Sequence, residues 1–155
     1  MRHIIGILLQ NESGALIRVA GLFSNRGYNI ESLSVAPAPD PTVSRITLVT
    51  RGSDAAVQQI VSQLNKLVDV VAVQDMTGGA HLERELVLVR LRPRDREQVL
   101  SAVLTAGGRV LAHQDSALCI EVTGAEADLD ALLRELGGLA ELDTVVRSGT
   151  LGLPG

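Results

Sequence analysis

An α+β fold, built as two consecutive β-α-β-β-α-β domains of about equal length, is what this 155-residue sequence predicts. Three observations carry the prediction. Short β-branched stretches, alternating or unbroken in their apolar residues, are separated by longer stretches with apolar residues three and four apart, the helical spacing. A glycine-rich joint, Thr77-Gly78-Gly79-Ala80-His81, interrupts the chain halfway. Beyond it the same order of elements begins again.

In the first half, His3-Leu9 reads as a strand and Gly14-Arg26 as a helix, with Leu16, Val19, Ala20 and Phe23 on one face. Ser13 is the expected N-cap, and Gly27 sits where a helix end favours φ > 0. Asn29-Ala36 is a second strand. Pro37-Ala38-Pro39-Asp40-Pro41 is a loop, because three prolines in five residues exclude regular structure. Thr42-Arg51 alternates as a third strand, Ser53-Leu64 is a helix capped by Ser53, and Val68-Met76 is a fourth strand.

In the second half, Glu83-Arg92 is a strand and Pro93 is expected to open a helix through Ala106. Arg109-His113 and Ala117-Thr123 are strands joined at Gln114-Asp115-Ser116. Thr123-Gly124-Ala125-Glu126 reads as a capping box opening a helix to Leu136, with Gly137-Gly138 as its stop. Leu139-Ser148 is the last strand. Each half is thus a split βαβ, or ferredoxin-like, unit with an antiparallel sheet and its helices on one face. The expected division is a domain over residues 1–77, a linker over 78–82 and a second domain over 83–155.

Such a sheet has one open face, so its strands should alternate apolar and polar. Ile4-Ile5-Gly6-Ile7-Leu8-Leu9 does not, nor, apart from Asp69, does Val68-Asp69-Val70-Val71-Ala72-Val73. Something must cover the second face. A second copy of the domain is the most economical cover, and the second domain is the alternative.

Composition excludes several function classes. Apolar residues make up 46% and charged residues 21%, enough for a packed core. With Phe23 and Tyr28 as the only aromatics, that core is aliphatic and offers no stacking platform for single-stranded nucleic acid. A formal charge of −4, with no run of Lys or Arg, argues against binding a phosphate backbone. No apolar stretch nears the ~18 residues needed to span a membrane, and the N-terminal apolar stretch lacks a cleavage site, so a cytoplasmic protein is expected. The one cysteine, Cys119, lies in an alternating apolar run and reads as a small buried hydrophobe.

Catalytic and metal-binding motifs are not found. His3, His81 and His113 are far apart and none has a ligand partner at metal spacing, so they read as surface or edge histidines. No serine-nucleophile elbow, phosphate loop or zinc-protease motif occurs. No metal site and no catalytic residue is therefore expected.

The joint Asn11-Glu12-Ser13-Gly14 has different chemistry. It places a strand end, a polar turn and a helix N-terminus together. The first helical amides lack intrahelical partners and carry a partial positive charge, so a carboxylate fits there. Gly14 admits close approach to the backbone. Asn11 and Asn29 each offer an acceptor for an ammonium and a donor. These groups suit the two charged ends of a free amino acid. They suit a plain turn better, with Ser13 capping the helix and Asn29 as turn chemistry after Gly27, because strand-turn-helix joints usually look like this, though the binding reading stays open.

The runs Asn11-Glu12-Ser13-Gly14-Ala15-Leu16, Arg18-Val19, Gly21-Leu22-Phe23-Ser24, Arg26-Gly27-Tyr28-Asn29-Ile30-Glu31-Ser32-Leu33 and Val35-Ala36-Pro37 resemble the regulatory (small) subunit of acetolactate synthase, also called acetohydroxyacid synthase. The resemblance continues through Gln63-Leu64-Asn65-Lys66-Leu67-Val68-Asp69-Val70, Glu83-Arg84-Glu85-Leu86 and Arg147-Ser148-Gly149, nearly the whole chain. It implies an N-terminal ACT domain that pairs across subunits as a homodimer. It implies L-valine bound between two ACT domains, with Asn11, Gly14, Ala15 and Leu16 of one copy facing Asn29 and Ile30 of the other. It implies a chain without cofactors or catalysis of its own. The partner would be a catalytic large subunit carrying thiamine diphosphate, Mg²⁺ and FAD, which the small subunit activates and through which valine inhibits. A freestanding amino-acid sensor acting on another enzyme or on a transcription factor is the alternative, and a small enzyme with an unrecognised site is a third.

Overall fold

The computed structural model describes residues 1–155, which divide into two compact units, Met1–Leu82 with Thr150–Gly155 and Glu83–Gly149. The first unit contains β1 (Arg2–Gln10), α1 (Ala15–Asn25), β2 (Ile30–Pro37), β3 (Val43–Arg51), α2 (Asp54–Leu64) and β4 (Val70–Asp75). Its antiparallel sheet has the order β2-β3-β1-β4, the order that two split βαβ crossovers produce. Ile5, Ile7 and Leu9 of β1 share one buried cluster with Val19 and Phe23 of α1 and Ile60 of α2. Both helices therefore cover the same face. Phe23 is fully buried, which contributes about 1.5–3 kcal/mol. Ser53 caps α2 as its position predicts, accepting from the Ala56 amide at 3.3 Å.

The other face of β1 is covered in a way the residue pattern did not indicate. Ile4, Val49 and Met76 form a separate buried cluster. Over it lies β9 (Leu151–Pro154), a short strand absent from the sequence reading. The Thr150 amide donates to Ser32 Oγ at 2.9 Å, and the Gly152 amide donates to Thr47 Oγ1 at 3.1 Å. A Cβ at Gly152 would stand 2.6 Å from Met76 Cε and 3.1 Å from Ile4 Cδ1, so the backbone lies directly on the cluster. At Ile4, then, the cover is not a second copy but residues 150–155, the end of the stretch expected as the second domain, and they group with the first unit and not with residues 83–149. Further along that face Leu8 is half-buried and its paired residue Ala72 is exposed.

The second unit repeats the plan with β5 (His81–Pro93, its first two residues in the first unit), α3 (Arg96–Thr105), β6 (Arg109–Gln114), β7 (Ala117–Gly124), α4 (Glu126–Leu139) and β8 (Ala140–Arg147). The order β6-β7-β5-β8 matches that of the first sheet. Three local expectations fail here, each for a visible reason. Pro93 ends β5 opposite Ala140, and α3 is capped by Asp95, which accepts from the Gln98 amide at 3.1 Å. Thr123 stays in β7 opposite Leu86, so the ladder outcompetes the capping box and Ala125 is the N-cap, without a side-chain bond. α4 runs through Gly137-Gly138 to Leu139, because neither glycine takes φ > 0 and Leu139 packs on the core. An ion-pair network stands at the edge of this core. Arg147 grips the buried Glu85 through Nε (2.8 Å) and Nη2 (3.0 Å), and donates through Nη1 to Asp130 at 2.6 Å.

Candidate functional site

The turn after β1 is built by backbone bonds. The Asn11 amide donates to the Thr42 carbonyl at 2.8 Å, Gln10 N–H to Asp69 O at 2.7 Å, and Ala15 N–H to Glu12 O at 3.3 Å. Gly14, not Ser13, is the N-cap of α1. Its φ of 84° is left-handed, which only glycine adopts at little cost, and no side chain caps the helix. Arg18 N–H bonds back to Gly14 O at 3.2 Å, and the amides of Leu16 and Ile17 are left without an acceptor. Two uncapped donors at the positive end of a three-turn helix are a place for a carboxylate.

Asn11 is exposed and its Nδ2 donates to the Pro41 carbonyl at 3.0 Å, leaving Oδ1 with no donor in the chain. The loop it touches is itself ordered. The Asp40 carboxylate accepts from Thr42 N at 3.0 Å and Thr42 Oγ1 at 2.7 Å, which holds its carboxyl below the usual range. Ala15 is 1% exposed with its methyl in the core, so only its backbone faces the joint, whereas Leu16 is 37% exposed.

Asn29 and Ile30 are elsewhere. Ile30 pairs with Thr50, which pairs with His3, while the joint follows Gln10, paired with Val43. Seven residues of β1 separate the two places, about 23 Å at the usual rise. Asn29 is exposed, and its carbonyl accepts from Thr50 Oγ1 at 2.7 Å. One chain thus brings Asn11, Gly14, Ala15 and Leu16 together at one end of the sheet and holds Asn29 and Ile30 at the opposite end.

Arg18 was not among the sequence-expected site residues. Its Nε donates to Asp69 Oδ2, and its Nη1 would lie 3.1 Å from a Cβ placed on Gly14. The signal was in the spacing, since residue 18 is one helical turn from residue 14. Hydrogen bonding to Asp69 raises the Arg18 pKa further, so the guanidinium is a fixed positive charge.

Elsewhere two expectations change. His3, read as a surface or edge residue, is 3% exposed, with Nε2 3.3 Å from Asp54 Oδ1. Cys119 is half-buried, its Sγ 4.0 Å from Gln114 Oε1. No three His, Cys, Asp or Glu side chains converge in a way that could hold a metal ion, and no helix is long and apolar enough to cross a membrane.

Comparison with known proteins gives this geometry a family. Residues 5–72 match an AHAS small subunit-like ACT domain, and residues 84–155 match the small subunit of acetolactate synthase. The acetolactate synthase isozyme 3 small subunit of Escherichia coli (strain K12) is 45% identical over 155 residues, covering 99% of this chain and 95% of that one. The chloroplastic acetolactate synthase small subunit 2 of Arabidopsis thaliana is 38% identical over 154 residues, 98% of this chain but 32% of its own length. The crystal structure of the acetolactate synthase small subunit from Thermotoga maritima superposes with a TM-score of 0.90 at 28% identity, covering 100% of this chain and 98% of that chain. The ferredoxin-like pair of units, the ACT match and the full-length relatives agree: this chain belongs to the regulatory small-subunit family of acetolactate synthase.

Proposed function

We propose that this chain pairs through its first unit, binds L-valine between the two copies, and sets the activity of a catalytic acetolactate synthase subunit. The observation that carries the reading is the separation of Asn11 from Asn29 across the sheet, combined with β2 being an edge strand. An edge strand has a free row of backbone donors and acceptors, and a two-fold partner can pair with it antiparallel. In such a pairing the start of one β2 (Ile30) lies beside the end of the other (Pro37). Pro37 pairs with Ser44, which pairs with Leu9, two residues before Asn11. Asn29 of one copy then faces Asn11, Gly14 and Leu16 of the other, and two complete sites form that no single chain can form.

In each site the valine carboxylate sits on the Leu16 and Ile17 amides, Asn11 Oδ1 and Asn29 receive the ammonium, and Leu16 and Ile30 border the isopropyl group. Inhibition follows from linkage. Valine shifts the complex toward a less active state only by binding that state more tightly, and a coupling of ~1–3 kcal/mol corresponds to roughly 5–150-fold inhibition. The catalytic partner, not this chain, would carry thiamine diphosphate, Mg²⁺ and FAD, and the complex would work in the cytoplasm.

The test is acetolactate formation by the catalytic subunit with and without this chain and L-valine, alongside solution mass and valine calorimetry. Activation by the chain, a dimer and one valine site per chain are expected. No complex with the catalytic subunit would favour the freestanding sensor instead.

A further inference from the structure

We propose that Arg18 is a further effector-binding residue: its guanidinium, held over Gly14 by Asp69, supplies the countercharge for the carboxylate of the bound amino acid. The inference rests on the valine reading above and adds to it a residue outside the expected set.

Three facts converge on it. Arg18 reaches Asp69 Oδ2 through Nε alone, so the four Nη hydrogens have no acceptor in the chain. One of those nitrogens, Nη1, stands 3.1 Å from where a Gly14 Cβ would be, with Cζ at 3.8 Å and Nη2 at 3.9 Å. The same short stretch carries the acceptorless amides of Leu16 and Ile17. An anion within reach of those amides is also within reach of the guanidinium. The free donors of a guanidinium form a planar fork that matches a carboxylate.

Asp69 gives the arrangement its rigidity. Its carboxylate is largely buried, at 13% exposure, against 49% for the Arg18 side chain, so the anchored end is the inner one and the open end faces Gly14. The Asp69 carbonyl accepts from Gln10 N–H at 2.7 Å, which ties the anchor to the end of β1 and thus to the joint. Glu12 is the other acid acting on Arg18. With Asp69 engaged at Nε, the guanidinium keeps its Nη donors for an anion. This assigns the two ends of the amino acid to two different chemistries: carboxylate toward the helix start and Arg18, ammonium toward the asparagines.

The experiment compares L-valine with L-valinamide, which lacks the carboxylate charge, on the full-length chain by calorimetry and NMR titration. The variants are Arg18→Gln, Arg18→Lys and Asp69→Asn. A charge-assisted bond at a half-exposed site corresponds to about a 10-fold loss. Arg18→Gln should therefore bind valine about 10-fold more weakly while its valinamide affinity stays at the wild-type value. Arg18→Lys, which keeps the charge but not the fork, should fall between. Asp69→Asn should weaken valine by freeing the guanidinium to move. Unchanged valine affinity in Arg18→Gln, or equal losses for valine and valinamide, would overturn the assignment. Wild-type chain that binds no valine would instead overturn the effector reading on which it rests.

Discussion

The side-chain amide of Asn11 donates to the carbonyl of Pro41 at 3.0 Å, so the residue that borders the helix joint also fastens the proline-rich loop between β2 and β3. Replacing it therefore acts twice. Asn11→Ala should remove the Oδ1 acceptor and release the loop, weakening valine about 10-fold while lowering stability by no more than ~1 kcal/mol, since the bond is exposed. Calorimetry and thermal denaturation on the same preparation separate the two effects.

Gly14 is sensitive to both backbone and charge. With φ at 84°, any Cβ costs roughly 1–2 kcal/mol, and Gly14→Ala should show that loss of stability with only a modest change in valine affinity. Gly14→Asp should abolish valine binding altogether, because its carboxylate would reach Arg18 and take the anion's place. Retained valine response in Gly14→Asp would place the site away from this joint.

The Glu85–Arg147 pair predicts non-additivity. Arg147→Met leaves the 5%-exposed Glu85 carboxylate unpaired and should cost about 3 kcal/mol, somewhat less than a fully buried pair because Arg147 is 32% exposed. Glu85→Leu combined with Arg147→Met should be less destabilised than Arg147→Met alone. Urea denaturation of the two variants decides it.

Asp40 predicts a pH response in the loop. Its carboxyl is held below the ordinary value of 3.8 by the Thr42 amide and hydroxyl. A lowered folded-state value means that the turn's stabilisation is present above the unfolded value and disappears as pH falls through the folded one. NMR titration should show the Thr42 amide shift following that lowered value, and Asp40→Asn should remove the response.

Ser32 and Thr47 hold residues 150–155 through their hydroxyls. Ser32→Ala and Thr47→Val each leave a tail amide without its acceptor and should cost ~1–2 kcal/mol. A melting temperature unchanged by both would mean that the tail does not stabilise the first sheet.

Much of the first unit was legible from periodicity. Val19 and Phe23 mark the buried face of α1, Ser53 marks the start of α2, and Gly27 takes the φ of 72° that its position suggests. What could not be read is non-local. Leu151-Gly152-Leu153-Pro154 is too short and too rich in Gly and Pro to signal a strand, and only its backbone pairing with β5 makes it one. Likewise the unbroken apolar run at Ile4-Ile5 announced a second cover without saying what it was. At the joint, Asn11, Gly14 and Asn29 were visible as chemistry, but their distribution between opposite ends of one sheet is a fact of strand register, which residue order does not contain.

The position of residues 150–155 also sets an order of events during synthesis. The 67 residues of Glu83–Gly149 are made between the body of the first unit and the strand that covers Ile4, Val49 and Met76. At ~5–20 residues per second that interval is about 3–13 s. The unit begun first is thus finished last. A nascent chain carries an uncovered aliphatic patch on its N-terminal sheet throughout that time, an apolar surface open to aggregation until residues 150–155 emerge.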